Sequence, residues 1–430
     1  MTTFDQILPA TAEILNEGSH RETVEQLAWL VINRDLNGRV RLIAPEEAER
    51  NEATRQVLVT LYHALAERIA PHDYPVASGI LFEADREAVC MGATHFPLPG
   101  IDRIWVIDRL ATEGNWAKIA PESPGAPRVV FFSIKGGVGR STALAATAWS
   151  LAQQGRTVLV IDMDLESPGL SNALLPPDRL LSYGVTDWLV EDLVDNGETV
   201  FPDLYAEAGF NTQAPLYVVP AHGAEPGEYI AKLGRVWMPK IGRTGTPEPW
   251  SARLCRLLDA LENALRPDVI LIDSRAGIDE VASACVTDLG AAAVLLFAIA
   301  GRQTWSGYRV LFDHWQRWGS VREIRERLQL VAGLVPDDGG RAAYLEQLRE
   351  DAWALFSTTY DEAGPDDTEV WNYAPEDETA PHYPLAIRWN RGWFGLSSLH
   401  PRLGDADDVR AVFGPLLEHI ERLLVRETAT

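Results

Sequence analysis

The chain has 430 residues, 46% of them hydrophobic, and a formal net charge of −24. That is material enough for two domains, and it is the wrong charge balance for gripping nucleic-acid phosphates through a basic surface. No apolar run reaches the roughly 18 residues of a membrane span and the N-terminus lacks the basic-then-apolar order of a signal peptide, so a cytoplasmic protein is expected.

From the N-terminus, apolar residues recur at helical spacing over Thr3 to Asn16, Glu22 to Asn33 and Pro45 to Ile69. Apolar segments follow at Ala77 to Phe82 and Ile101 to Ile107. This predicts a small α+β module over residues 1–112, in which acids outnumber bases, so it is not a basic DNA arm. Residues 113–127, with Pro121, Pro124 and Pro127, read as a linker. Cys90, Cys255 and Cys285 are widely spaced in apolar or helical contexts, as reduced core thiols are.

An apolar strand, Arg128 to Ser133, runs into Ile134-Lys135-Gly136-Gly137-Val138-Gly139-Arg140-Ser141-Thr142, which opens an Ala/Leu helix ending near Gly155. A glycine-rich turn at a helix N-terminus presents backbone N–H groups to phosphate oxygens, so this is a candidate phosphate loop. It departs from G-x-x-x-x-G-K-[ST] in two ways: Ile134 takes the first glycine position and Arg140 the lysine position. A second strand, Thr157 to Ile161, leads into Asp162-Met163-Asp164-Leu165-Glu166-Ser167-Pro168-Gly169. A third, from Asp268, ends in Asp273-Ser274-Arg275-Ala276-Gly277-Ile278.

Taken together, the early lysine before Gly-Gly, the D-x-D and the D-S-x-A-G-I resemble the deviant phosphate loop and switch segments of the ParA/MinD superfamily of ATPases. The resemblance covers about residues 128–430 and is specific at these three motifs. It implies a P-loop fold of the α/β class, with a mostly parallel sheet covered by helices on both faces. It also implies ATP and Mg²⁺ as ligands and an ATP-dependent homodimer, in which Lys135 reaches the partner's phosphates. By the same resemblance, Gly136, Gly137, Val138, Gly139, Arg140, Ser141, Thr142 and Gly277 hold the nucleotide. Asp164 orients the attacking water, and Ser141, Asp162 and Asp273 hold the Mg²⁺ shell. Arg275 stands where this family has proline.

Beyond the motifs, Leu216 to Ala221, Ala291 to Ile299, Leu328 to Val335 and Pro384 to Trp389 read as strands. Trp250 to Leu265, Gln303 to Trp318 and Arg341 to Phe356 read as helices. Thr358 to Pro384 carries acids and no Lys or Arg, and reads as a solvated acidic loop. From Asp407 onward, Val409, Val412, Phe413, Leu416, Leu417, Ile420, Leu423 and Leu424 recur at helical spacing. The opposite face mixes both signs of charge, so docking on the sheet is expected rather than lipid binding.

A guanidinium in place of the loop lysine is a wider planar fork, so binding is expected to survive and hydrolysis to be slow. The expected function is therefore a dimerising ATP switch of low turnover that regulates or positions a partner complex, with a protein partner met through the N-terminal module. The alternative is a nucleotide-holding scaffold or sensor with little hydrolysis, for example in a defence or signalling system. Scattered cysteines and few methionines leave no basis for a metal- or client-carrying relative of the same fold.

Overall fold

A computed structural model of the chain describes all residues except 1, 92, 94, 99–100, 102, 177–178, 243–244, 363–369, 394–402, 404 and 428–430. The chain divides into two compact units, Met1–Asn115 and Trp116–Thr430.

The first unit holds strands β1 (Leu30–Arg34), β2 (Val40–Pro45), β3 (Ile80–Glu83), β4 (His95–Pro97) and β5 (Ile104–Asp108), ordered β3-β2-β1-β5-β4. Pairs β1/β5 and β2/β3 are parallel, whereas β1/β2 and β4/β5 are antiparallel. The helix expected over Glu22 to Asn33 is corrected here: the helix is Gly18–Gln26, and Leu30–Arg34 is the central strand, buried throughout. A short strand buried on both faces shows no alternation, so Leu27-Ala28-Trp29-Leu30-Val31-Ile32 matched a helical pattern equally well. Likewise Pro45 to Ile69 breaks at Asn51, whose side chain accepts from Thr54 N at 3.2 Å and caps the helix Glu52–Ile69.

The second unit is built on an eight-stranded sheet. Its strands are β6 (Arg128–Ser133), β7 (Val158–Asp162), β8 (Ala206–Glu207), β9 (Leu216–Val219), β12 (Val269–Ala276), β13 (Ala293–Ala298), β14 (Leu328–Val335) and β15 (Leu385–Arg388). A separate hairpin pairs β10 (Lys240–Ile241) with β11 (Pro247–Glu248). The order is β15-β14-β13-β6-β12-β7-β9-β8, parallel throughout except for β8 on β9.

All six residues of β6 are buried, and alternation sorts them between two layers. Val130 and Phe132 pack with the helices Trp250–Leu265 and Arg302–Trp318, while Val129 and Phe131 pack with the helices Arg140–Gln153 and Ala406–Glu427. A parallel sheet needs both faces covered, and these four helices do most of the covering. The last of them lies on the sheet as expected: Val409, Val412, Phe413, Leu416, Leu417, Ile420 and Leu424 are buried in the second layer.

From Trp116 the proline-rich segment is laid along the second unit. The Trp116 carbonyl accepts from Trp315 Nε1 at 2.8 Å, and Ala120 N donates to Thr287 O at 2.7 Å. The stretch expected as a solvated acidic loop is different in its described residues, since 363–369 lie outside them. Tyr360, Trp371 and Tyr373 pack ring on ring, and Arg325 sits over Trp371 while bonding Asp361 at 2.7 and 2.9 Å. Ring packing and the Arg325–Asp361 ion pair together hold this segment. Among the described residues no helix is long and apolar enough to cross a membrane.

Candidate functional site

Strands β6, β12 and β7 are neighbours whose carboxyl ends align, because Asp273 pairs in register with Phe131 on one side and with Asp162 on the other. The three motifs therefore meet at one end of the sheet, where open α/β sheets bind ligands. Between β6 and the helix Arg140–Gln153 the loop turns through Gly137 (φ +75°) and Gly139 (φ +88°), the latter being the helix N-cap. Both are left-handed backbone positions that disfavour a side chain. Lys135, Gly136 and Gly137 are exposed, Val138 is buried, and Ser141 and Thr142 lie half-buried in the first helical turn.

Arg140, expected on phosphates, is turned beneath the loop toward the strand ends and is 7% exposed. Its Nε donates to Asp273 Oδ1 at 2.7 Å, Nη1 to Ser133 Oγ at 3.2 Å, and Nη2 to Asp164 Oδ2 at 3.4 Å. Burial acts to lower its pKa, but the Asp273 contact and the Asp164 and Asp162 charges outweigh it, so the guanidinium is firmly charged.

Asp162 does not touch Arg140 directly. Its Oδ2 accepts from Ser171 Oγ at 2.7 Å and Ser171 N at 3.2 Å, and its Oδ1 accepts from Asp164 N at 3.2 Å. Burial, reinforced by the Asp273 charge, pushes its carboxyl up to about 7. Burial likewise raises Asp164, against the opposing pull of Arg140.

Gly277 (φ +105°) gives its N–H to Ser133 O at 2.9 Å and so ties the end of β12 to the start of the loop. The structure thus brings Arg140, Asp164 and Asp273 together, with Asp162 beside them, and leaves Lys135 out at the surface.

Several participants were not singled out from the sequence. Ser133 and Ser171 act as the hydrogen-bonding partners of Arg140 and Asp162, and nothing local marks a serine for that. Arg275 pairs with Glu166 on one switch segment and with Asp279 on the other; its place as a departure from the family pattern was the available signal. Gly333, in β14, lies against the loop: a Cβ added there would stand 2.4 Å from Val138 O.

The sequence of residues 129–352 matches the family profile of the CobQ/CobB/MinD/ParA nucleotide binding domain. No curated protein sequence matches the chain. Similar solved structures include a ParA family ATPase from Chlorobium tepidum TLS, at 15% identity over 69% of this chain and 100% of that one (TM-score 0.44). Others are the MinD cell division protein of Aquifex aeolicus, at 15% identity, 69% and 97% coverage and TM-score 0.43, and pNOB8 ParA bound to nonspecific DNA, at 15% identity, 71% and 99% coverage and TM-score 0.41. With the profile spanning over half of the chain and its three motifs gathered at one end of a mostly parallel sheet, the protein belongs to the CobQ/CobB/MinD/ParA family of nucleotide-binding domains.

Proposed function

We propose that the protein is an ATP-binding switch of the ParA/MinD type that dimerises on ATP, hydrolyses it slowly with Mg²⁺, and regulates or positions a partner complex engaged through its first unit in the cytoplasm. The observation that carries this reading is the division of labour around the loop. Lys135 is exposed at the loop's outer edge, while Arg140 lies beneath it on Asp164 and Asp273.

Each residue then has a stated task. The N–H groups from Gly136 to Thr142 and the Ser141 and Thr142 hydroxyls hold phosphate oxygens, and Gly277 closes the loop from below. Lys135 reaches the phosphates bound by a second copy, where an ammonium meets its full set of oxygens through the γ-phosphate. Asp164 orients the attacking water.

The donor set suits Mg²⁺, with a Ser141 hydroxyl and the Asp162 and Asp273 carboxylates as hard oxygen ligands to the ion or its waters. Asp273 becomes free to serve when Arg140 leaves it. Bound with a triphosphate, Mg²⁺ would supply neutralisation of phosphate charge.

A nucleotide-holding scaffold with little hydrolysis is the second reading. It is favoured by one observation: Arg140 engages both carboxylates that turnover needs.

Two measurements separate and test these readings. Light scattering with a non-hydrolysable ATP analogue should report a dimer for the wild type and a monomer for Lys135→Ala, with nucleotide still bound by both. A Lys135→Ala dimer of undiminished affinity would rule out the trans role. In a steady-state ATPase assay, Asp164→Ala should lower turnover by about 10²-fold or more and leave nucleotide affinity nearly unchanged. Equal rates for the two proteins would instead select the scaffold.

A further inference from the structure

Every nitrogen of the Arg140 guanidinium is committed to the protein itself, to Asp273, Ser133 and Asp164. The side chain is buried, and Asp273 is 1% exposed. An arrangement of this kind has a definite energetic logic. A buried carboxylate without a counter-charge is strongly destabilising, so Asp273 requires a cation whenever the site holds no ligand, and half-buried Asp164 adds to the demand. The planar fork of arginine can span two acids and a hydroxyl at once, which a lysine ammonium, a point charge on a flexible stem, does less well.

The same fork is also the group best suited to a phosphate, and here it is spent on two acids and a hydroxyl. The Oδ1 of Asp273 accepts from Arg140 Nε at 2.7 Å, so a guanidinium charge already sits against the carboxylate that a divalent cation or its waters would need. Two cations therefore compete for one carboxylate, and two sets of oxygens compete for one guanidinium.

We propose that Arg140 is a two-position residue that serves as the resident cation of Asp273 and Asp164 in the nucleotide-free protein, so that a divalent cation is excluded until a nucleoside triphosphate draws the guanidinium onto its phosphates. This deepens the reading given above and rests on it for the identity of the triphosphate. Ligand order follows from it. Nucleotide binds first, with or without metal, and the metal site comes into being as a consequence. Replacing arginine by a neutral residue inverts this order, because the carboxylates then recruit metal on their own.

Binding of Mn²⁺ to the nucleotide-free full-length protein, followed by the loss of the free-ion signal in electron paramagnetic resonance, tests the exclusion. Wild type should bind no Mn²⁺ at this site at millimolar concentration. Arg140→Gln should bind it at least about tenfold more tightly, within the usual range of coupling between two sites, and the double variant Arg140→Gln/Asp273→Asn should lose that gain. Equal Mn²⁺ affinity in wild type and Arg140→Gln would overturn the proposal.

A second measurement needs no variant. In wild type carrying ¹⁵N-arginine, the Nε–H resonance of Arg140 should move on adding ATP in the presence of EDTA and should not move on adding Mg²⁺ alone. A shift caused by Mg²⁺ alone, or none with ATP that is demonstrably bound, would also overturn it. Failure of the nucleotide reading looks different: no nucleoside triphosphate, with or without Mg²⁺, would then raise the wild-type melting temperature, while the Mn²⁺ comparison would still decide the role of Arg140.

Discussion

Asp192→Ala should cost about 3–5 kcal/mol of stability, the range for removing one partner of a buried ion pair. Asp192 ends the helix Val185–Asp192 and is 3% exposed, yet it carries three cations. Arg253 Nε donates to it at 2.8 Å, Arg256 at 2.9 and 3.2 Å, and Lys240 Nζ at 3.0 Å. Arg253 is fully buried and also donates to Met238 O at 2.8 Å and to Leu189 O. Without the carboxylate its charge has carbonyls for company and no anion, which is why the loss exceeds that of a surface pair.

A pH signature accompanies this cluster. Burial acts to raise the Asp192 carboxyl, but hydrogen bonds from Arg256, Arg253 and Lys240 prevail and hold it at about 2. The folded-state value lies below the unfolded one of about 3.9, so the stabilisation is complete above pH of about 4 and is lost as pH falls through about 2, by roughly 2–3 kcal/mol. Urea melts of wild type and Asp192→Asn between those limits provide the check. Wild type should lose stability across the window, and the variant, starting lower, should lose less. Parallel curves would mean that another group carries the acid sensitivity.

The parts of the sheet most legible in the sequence share one property. β6, β7 and β12 are apolar runs that end in recognisable chemistry, glycines or an acid, whereas β13 and β14 read as apolar runs alone. β1 passed for a helix although Asp35 and the Asn37-Gly38 turn that joins it to β2 follow it directly, a hairpin signal that was overlooked, while β4 and β8 are too short to show any period. At the site, motif spacing placed Asp162 and Asp273 at aligned strand ends and Asp164 in the turn just after β7, because strand position alone fixes where a strand-end side chain begins.

It could not place the far end of Arg140. A motif sets which helical position a residue occupies, and a long side chain then chooses among acceptors contributed by β6, β12 and the turn after β7, residues distant in sequence. The Asp192 cluster was hidden for the same reason. Its cations come from the hairpin strand β10 and the helix Trp250–Leu265, at sequence separations of 48, 61 and 64. Nothing near Asp192 announces them.

Gly333→Ala should remove most of the nucleotide affinity while leaving the fold in place. A Cβ at residue 333 would stand 2.4 Å from the carbonyl oxygen of Val138, in the middle of the phosphate loop, and 3.6 Å from Ala298 O. Something has to move, and β14 is the wrong candidate. The Gly333 carbonyl accepts from Tyr344 Oη at 3.0 Å, and Tyr344 Oη in turn accepts from Ala300 N at 3.2 Å. Just before Gly333, Ala332 is in register with Ala298 of β13 and Ala386 of β15, although the register with β15 shifts between Ala332 and Val335. Lys135 to Gly137 are exposed, so the methyl is expected to shift the Val138 peptide and with it the N–H groups proposed to hold phosphate.

Phosphate cradles depend on several such donors converging, and losing two neutral hydrogen bonds of about 1 kcal/mol each already weakens binding by more than tenfold. Crowding in the core should add a stability loss of about 1–3 kcal/mol, which circular dichroism melts will register separately. Gly339→Ala is the matched control, since a Cβ there meets nothing within 4 Å. Titration with a fluorescent ATP analogue, well below the melting temperature of each variant, gives the decisive comparison. Should Gly333→Ala bind as tightly as Gly339→Ala, the position of the Val138 peptide is not what shapes the phosphate site.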